Sequence, residues 1–261
     1  MNCKKYLSFF ILSLIIISCK SEDNTQVDED GIITGLQTKT LTHDNVNRNY
    51  LVYIPDSYDS EIDYPLMFVF HGFGGIATQF INTADMRDLA ESNNFIVVYP
   101  QGLDLGGTGS HWNCSNPSPD NKSDVDDIGF IENLIDQLIL DYPVIDSKRI
   151  YAAGYSNGGF MSYYLACNSK KFAAIGSVAG TMLDDSYQSC NANFPTAMIN
   201  IHGTNDFDVP YDGNTYYPSI PEVVDWWKNF NNTPNEDLLT NQDGSICLLY
   251  TSPSPRDQEA S

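Results

Sequence analysis

The stretch Gly-Tyr-Ser-Asn-Gly-Gly at residues 154–159 decides the fold that the sequence predicts. The short apolar run 149–153 precedes it and residues with helical spacing follow it, which indicates a strand, a sharp turn and a helix. Small residues are needed two positions before and after the serine, because larger side chains would collide in such a turn. The pattern predicts that Ser156 is a nucleophile raised above a sheet. A glycine-rich turn that merely contains a serine is the simpler alternative.

Two segments can present backbone N–H groups to a reacting carbonyl. Asn157 opens the predicted helix, where amides without acceptors favour negative charge. The second segment, His-Gly-Phe-Gly-Gly at residues 71–75, follows an apolar run at 65–70. We expect the N–H of Phe73 to be the second oxyanion donor, with Gly74 as the alternative. We expect His71 to orient this loop rather than to act as a base.

Apolar runs alternate with amphipathic segments through the chain. This recurrence of strand, helix and strand predicts an α/β fold with a mostly parallel sheet, helices on both faces and ligands at the carboxyl ends of the strands. The predicted strands are 32–41, 49–54, 65–70, 95–99, 149–153, 173–178 and 197–201, and the predicted helices include 83–93 and 221–230.

The segment 101–127 is rich in Gly, Ser, Asn and Asp and is too long for a simple connection, so we expect a binding loop. Trp112 within it either stacks on a ring of the substrate or pins its own loop. Asp126 and Asp127 precede a helical pattern and are expected to cap it. No metal site is predicted, because no histidine or second acidic cluster stands at ligand spacing from them.

The length of 261 residues suits one large domain, and the formal net charge of −21 disfavours nucleic acid and anionic membrane surfaces as partners. Residues 1–18 have positive charge followed by an apolar run shorter than the roughly 20 residues of a membrane span, which predicts an export signal. The residues before Cys19 resemble a lipoprotein box, so we expect acylation of Cys19, with residues 19–30 as an acidic tether. An ordinary secretory signal is the alternative.

Three cysteines remain once the signal, the lipid site and the C-terminal residues are set aside: Cys114, Cys167 and Cys190. In an oxidising compartment one disulfide and one leftover thiol are expected. Cys167 with Cys190 is the first choice, although sequence alone does not fix connectivity.

Six motifs occur in order along residues 32–231, and together they are specific. They resemble those of the polyhydroxybutyrate-depolymerase-like esterases, a group that includes feruloyl and acetylxylan esterases and has the α/β-hydrolase fold. The motifs are HGFGG from residue 71, YPQG from 99, VDDIGFI from 125, GYSNGG from 154, FAAIGSVAG from 172 and HGTNDFDVPY from 202.

The resemblance implies that Ser156 is the nucleophile and that Asp206 orients a catalytic histidine, whereas Asp208 departs from the motif position and is expected to be a turn or surface acid. It also implies an acyl-enzyme mechanism without metal or organic cofactor. The expected protein is an exported, monomeric serine carboxylic ester hydrolase. Its expected substrates are polymer-linked feruloyl or acetyl esters of plant polysaccharide, or polyhydroxyalkanoate.

The expected histidine is missing, because the triad runs serine, acid, histidine in this fold and no histidine follows Asp206. His202 is expected to support the acid's turn. Residues 247–261 resemble a translated sequencing-library adapter, so we expect the native sequence to diverge near Ile246. The domain at 31–246 would then lack its last strand and histidine loop, leave a sheet edge open and be inactive.

Two other readings of the function stay open. A non-catalytic surface binding protein on a hydrolase scaffold would need no base at all. A serine peptidase or dienelactone-type hydrolase shares similar acid turns, but here no propeller domain precedes the catalytic region and the nucleophile is not cysteine.

Overall fold

The computed structural model describes residues 31–116 and 123–233, together with the backbone of two strands at 237–240 and 245–250. The predicted signal at 1–18, the expected lipidation site Cys19 and the whole tether at 19–30 lie outside the described residues, as do residues 251–261. No described helix is both long and apolar enough to cross a bilayer.

Nine strands form one sheet in the order β1-β2-β4-β3-β7-β8-β9-β11-β10, and β5 pairs with β6 in a separate ribbon. Strands β4, β3, β7, β8 and β9 are mutually parallel, whereas β1, β2, β11 and β10 pair antiparallel at the two edges. The strands are β1 (Gly35–His43), β2 (Val46–Ile54), β3 (Tyr64–Phe70), β4 (Ile96–Pro100), β5 (Leu103–Asp104), β6 (Ser110–His111), β7 (Ile145–Tyr155), β8 (Ala174–Val178), β9 (Ala197–Gly203), β10 (Asp237–Thr240) and β11 (Ser245–Tyr250).

Apolar residues on alternate positions of the strands face two separate cores. Ile96 and Val98 of β4 belong to the larger core, and Val97 and Tyr99 belong to the smaller one. Successive side chains of a strand point to opposite faces, so both faces of the sheet are covered. This is the α/β-hydrolase arrangement that the sequence predicted.

The helices are α1 (Ala77–Phe80), α2 (Arg87–Asn93), α3 (Asp127–Asp141), α4 (Asn157–Asn168), α5 (Asp184–Ser189) and α6 (Ile220–Phe230). The helix expected over 83–93 is shorter than predicted. The Tyr99 hydroxyl donates to the Ala84 carbonyl at 2.7 Å and accepts the Met86 N–H at 3.0 Å, so these backbone groups bond to a strand residue.

The sheet edge beside β9 is covered, so the expectation of an open edge there is wrong. Strand β11 pairs antiparallel with β9, with Ile246 opposite His202, and β10 pairs with β11 on its outer side. The backbone of 245–250 satisfies ladder positions that the sequence analysis left empty.

A disulfide joins Cys167 to Cys190, with the Cα atoms 5.0 Å apart. It connects the end of α4 to the residue after α5, and it is the pairing that the sequence analysis favoured. Cys114 is a free, buried thiol. Burial raises the pKa of this thiol well above its usual value, so the protonated form dominates at neutral pH.

Candidate active site

Ser156 stands in a strained turn between β7 and α4, with φ 51° and ψ −119°. Positive φ is costly for a residue with a Cβ, and here the neighbouring glycines make the turn possible. A Cβ on Gly154 would collide with the carbonyl group of Gly158, and a Cβ on Gly158 would collide with the carbonyl oxygen of Phe70. The glycine spacing is therefore a packing requirement.

The first turn of α4 begins directly at Ser156. The Ser156 carbonyl accepts the N–H groups of Gly159 at 2.7 Å and Phe160 at 3.1 Å. The N–H of Asn157 is one of the first amides of the helix, which have no acceptor within it. Such an N-terminus stabilises negative charge beside the serine hydroxyl.

The loop 71–75 lies against Ser156, since a Cβ on Gly72 would be 3.3 Å from the Ser156 Cβ. The N–H of Gly74 donates to the Ser110 carbonyl at 2.7 Å, so it is already engaged. Within the described residues no hydrogen bond is made by the N–H of Phe73. Of the two donors considered from the sequence, only Phe73 has an amide available to a ligand.

His71 is fully buried and uses both ring nitrogens. Nδ1 lies 2.7 Å from the Gly72 carbonyl, to which it donates, and Nε2 accepts the Gly102 N–H at 3.0 Å. Burial lowers the pKa of His71, and the bond to Gly72 only partly opposes this. A neutral ring with two fixed partners orients the loop and is not placed to serve as a base.

Trp112 is 1% exposed and packs its ring edge-on against Phe70. Its Nε1–H donates to the His71 carbonyl at 3.0 Å. Its backbone is held on both sides by the Asn157 side chain, which accepts the N–H at 2.7 Å and donates to the carbonyl at 3.0 Å. Trp112 also borders the cavity at Ser156, but its near-complete burial favours the loop-pinning alternative over stacking on a substrate.

Asp126 caps α3 as predicted, because its Oδ1 accepts the Gly129 N–H at 2.9 Å. Asp127 does something the sequence analysis missed. It is buried, pairs with Arg48 at 2.7 Å and accepts the Asn113 N–H at 2.7 Å. Burial raises the pKa of Asp127, and Arg48 opposes that shift. The ion pair thus fixes the residue next to Trp112.

Asp206 lies in the turn after β9. Its Oδ1 accepts the N–H groups of Asp208 and Val209, each at 2.9 Å, and its Oδ2 lies 3.6 Å from His202 Nε2. His202 is buried, and Nε2 donates to the Val209 carbonyl at 2.8 Å. His202 therefore braces the turn, and Asp206 keeps Oδ2 for a further partner.

A cavity of about 640 Å³ opens at Ser156, within the usual size for a small-molecule site. Its wall combines aromatic and polar side chains and includes several residues that the sequence did not single out. Asp208, expected as a turn or surface acid, also lines it. Among the lining residues are Phe73, His111, Phe160, Asp208, Tyr216 and Tyr217.

Among the residues that the structure describes, the site lacks a general base placed to take the proton of Ser156. Within the described part of the chain, no histidine hydrogen-bonds the Ser156 hydroxyl. Of the four histidines, His111 lines the same cavity as Ser156, whereas His43 lines a different one.

A nine-stranded α/β sheet with a strained serine at a strand-to-helix turn defines an α/β hydrolase. Residues 43–240 match the Esterase family, described as "Putative esterase", and the chain belongs to that family.

Known relatives agree with this assignment. The chain is 32% identical over 178 residues to a probable feruloyl esterase C of Aspergillus niger, covering 66% of this chain and 59% of that protein. It is 29% identical over 182 residues to feruloyl esterase D of Neurospora crassa, covering 65% and 57%. A thermostable esterase of known structure shares the fold, with a TM-score of 0.55 at 17% identity, covering 79% and 59%. The chain thus spans less than two thirds of the length of these curated relatives.

Proposed function

We propose that this protein is a serine carboxylic ester hydrolase that acts through an acyl-enzyme. The observation that carries the proposal is Ser156, held at positive φ at the N-terminus of α4 and open to the cavity. Such backbone strain costs on the order of 1–3 kcal/mol and persists where a function requires it. A non-catalytic binding protein would gain nothing from this strain, so that alternative is not favoured.

The reaction proposed has two halves. Ser156 Oγ attacks the ester carbonyl carbon while a histidine takes its proton, and the N–H groups of Asn157 and Phe73 bind the oxyanion. Collapse of the intermediate breaks the ester bond, and the alcohol leaves with the proton from the histidine. Water then attacks the acyl-enzyme by the same route and releases the acid. Asp206 Oδ2 would orient the histidine through its ring N–H.

The base is proposed to follow Asp206 in the native gene, as the chain order of this fold requires. The second candidate is His111, because it lies on the cavity wall with Ser156. Sequencing the source gene beyond the codon for Ile246 distinguishes them. A histidine within a few tens of codons supports the first, and an unchanged reading frame supports His111.

Esters with an aromatic acyl group attached to a polymer are the proposed substrates. The relatives named feruloyl esterases favour this class, and the aromatic wall around Phe73, Phe160 and Tyr217 suits a ring. Acetyl and hydroxyalkanoate esters are the alternatives. Comparing kcat/KM for methyl ferulate with that for p-nitrophenyl acetate tests the choice, and a preference for acetyl would overturn it.

Export is proposed for the same protein, with a lipid on Cys19 as its attachment. The disulfide Cys167–Cys190 supports an oxidising compartment. A Cys19→Ala variant should leave the membrane fraction or fail to be cleaved. An unchanged membrane fraction without detectable lipid on Cys19 would instead favour a simple secretory signal.

A further inference from the structure

A second cluster of ligand-type side chains lies away from Ser156. It joins the turn between β1 and β2 to the N-terminus of α3. His43, Asp44 and Asp126 each offer one ligand atom, and these atoms lie within 4.8 Å of one another. They border a cavity of about 280 Å³ that Asp124 also lines. His43 stands 83 residues before Asp126, which is why ligand spacing in the sequence did not reveal the cluster.

We propose that His43, Asp44 and Asp126 bind a divalent transition-metal cation of the zinc type. An imidazole nitrogen with two carboxylates is a donor set that suits Zn²⁺ rather than Mg²⁺ or Ca²⁺, which prefer oxygen donors alone. The proposal does not depend on the esterase assignment.

Distances around His43 fit this ion. Its Nε2 lies 3.3 Å from Asp126 Oδ2 and 3.5 Å from Asp44 Oδ2. Two ligands at zinc bond lengths in a tetrahedron are separated by about 3.3 Å. A cation between these atoms would therefore need only small side-chain movements. Asp44 is largely exposed on its turn and can make them.

The imidazole of His43 is held in place by its neighbours. Its side chain is only 9% exposed, its ring packs at a tilt against Phe130, and Nδ1 lies 2.8 Å from the Asn133 amide. Metal-bound histidines usually donate the N–H of their second ring nitrogen to a neighbouring acceptor, and the Asn133 side chain is the group within reach of Nδ1. In this structure the Asn133 Nδ2–H donates to Nδ1, and Nε2 donates to Asp126 Oδ2 at 3.3 Å. Metal binding at Nε2 would therefore move the proton to Nδ1 and turn the Asn133 amide so that its oxygen accepts that proton.

The two carboxylates each have an oxygen that can bind a cation, and their combined charge matches that of a divalent ion. Asp126 uses Oδ1 to cap Gly129, which leaves Oδ2 as a single ligand atom. Arg48 lines the same cavity, but Asp127 pairs with it at 2.7 Å and offsets its charge. Two aspartates and a neutral histidine therefore match one divalent ion. The cavity leaves room for water as a fourth ligand.

Titration of EDTA-treated, untagged protein with ZnCl₂ in a calorimeter tests the proposal. One Zn²⁺ should bind per chain, and Asp126→Asn should weaken the binding by about tenfold or more. Asparagine caps a helix as well as aspartate, so this variant keeps α3 intact while losing a ligand charge. Asp44→Asn lies on an exposed turn and should weaken Zn²⁺ binding by a similar factor. If Asp126→Asn fails to fold, the result for Asp44→Asn tests the proposal by itself. Asp225→Asn, at an exposed position of α6 that does not line this cavity, is the matched control and should bind within about threefold of the parent.

Cobalt binding identifies the ligand type. Co²⁺ bound at this site should show visible d–d bands without a sulfur-to-metal charge-transfer band, because the donors are nitrogen and oxygen. The proposal is overturned by the absence of saturable Zn²⁺ binding, by binding unchanged in both ligand variants, or by a thiolate band that assigns the metal to cysteines.

Discussion

The side-chain amide of Asn157 clasps the backbone of Trp112, accepting its N–H at 2.7 Å and donating to its carbonyl at 3.0 Å. The two residues lie 45 positions apart, and the backbone N–H of this same Asn157 is the proposed oxyanion donor next to Ser156. The loop that forms one wall of the cavity is thereby fixed to the residue that stabilises the reacting oxygen. Asn157 therefore holds the loop in place with its side chain and supplies the proposed oxyanion donor with its backbone N–H.

Replacing Asn157 with alanine should loosen that loop while keeping the backbone N–H. Two hydrogen bonds of about 1 kcal/mol each are lost, so the free energy of unfolding should fall by about 1–3 kcal/mol. Hydrogen exchange at the Trp112 amide should accelerate more than exchange in β8. Asn168→Ala, which removes a side-chain bond at the far end of α4, is the control. Equal exchange at Trp112 in both variants would contradict the coupling.

Asp206→Asn should lower ester turnover by roughly 10⁴-fold in an active form of the protein, since the histidine loses its charged partner. The turn should survive, because an amide oxygen can still accept the N–H groups of Asp208 and Val209. Thermal unfolding should therefore change little. Asp208→Asn, on the cavity wall, is the matched control. If both substitutions reduced kcat equally, Asp206 would have no special role.

Arg48→Met should destabilise the protein by about 3–5 kcal/mol, because Asp127 would keep a buried charge without its cationic partner. The partly exposed pair of Arg149 with Asp146 supplies the comparison, and Arg149→Met should cost only about 1 kcal/mol. Urea unfolding measures both variants. Similar losses would show that burial of the Arg48–Asp127 pair has no energetic consequence.

The same variant should have a distinctive pH dependence. Burial already holds the pKa of Asp127 above its ordinary value of 3.8, and removing Arg48 raises it further. A folded carboxyl that binds its proton more tightly than the unfolded one loses stability as pH rises from its unfolded pKa to its folded pKa. The loss of unfolding free energy caused by Arg48→Met should therefore become smaller as pH falls towards 4. A deficit that grew on acidification would contradict this assignment.

Reduction of Cys167–Cys190 should lower stability by about 3 kcal/mol, as expected for a closed loop of this size. The Cys167→Ser/Cys190→Ser variant should unfold at the same lower temperature with or without dithiothreitol. Cys114→Ala, which removes the buried free thiol, should keep the dependence on dithiothreitol. If dithiothreitol did not change the unfolding temperature of Cys114→Ala, the stabilising disulfide would not be Cys167–Cys190.

The central sheet and the nucleophile turn were predictable because both follow from local patterns. Apolar runs mark β3 and β4, and the glycines around Ser156 are demanded by contacts within one turn. Sequence could not place Asp127 beside Arg48 or Asp126 beside His43, since each pair is joined by the fold across about 80 residues. Trp112 was ambiguous for a related reason, because only packing decides whether an aromatic ring faces a cavity or the core.

The strand β11 shows a different limit. Its pairing with β9 arises from backbone hydrogen bonds, which depend weakly on side-chain identity, so an unusual sequence there did not predict an edge strand. The engagement of the Gly74 N–H by Ser110 is likewise a backbone contact. Residue types alone could not choose between Phe73 and Gly74.

The most direct test of the account is the effect of Ser156→Ala on ester hydrolysis. Methyl ferulate and p-nitrophenyl acetate are assayed with the protein expressed from its source gene, and with the same protein bearing Ser156→Ala. The account predicts turnover by the first and a fall on the order of a million-fold in the second, with thermal unfolding nearly unchanged. Hydrolysis retained by a folded Ser156→Ala protein would contradict it.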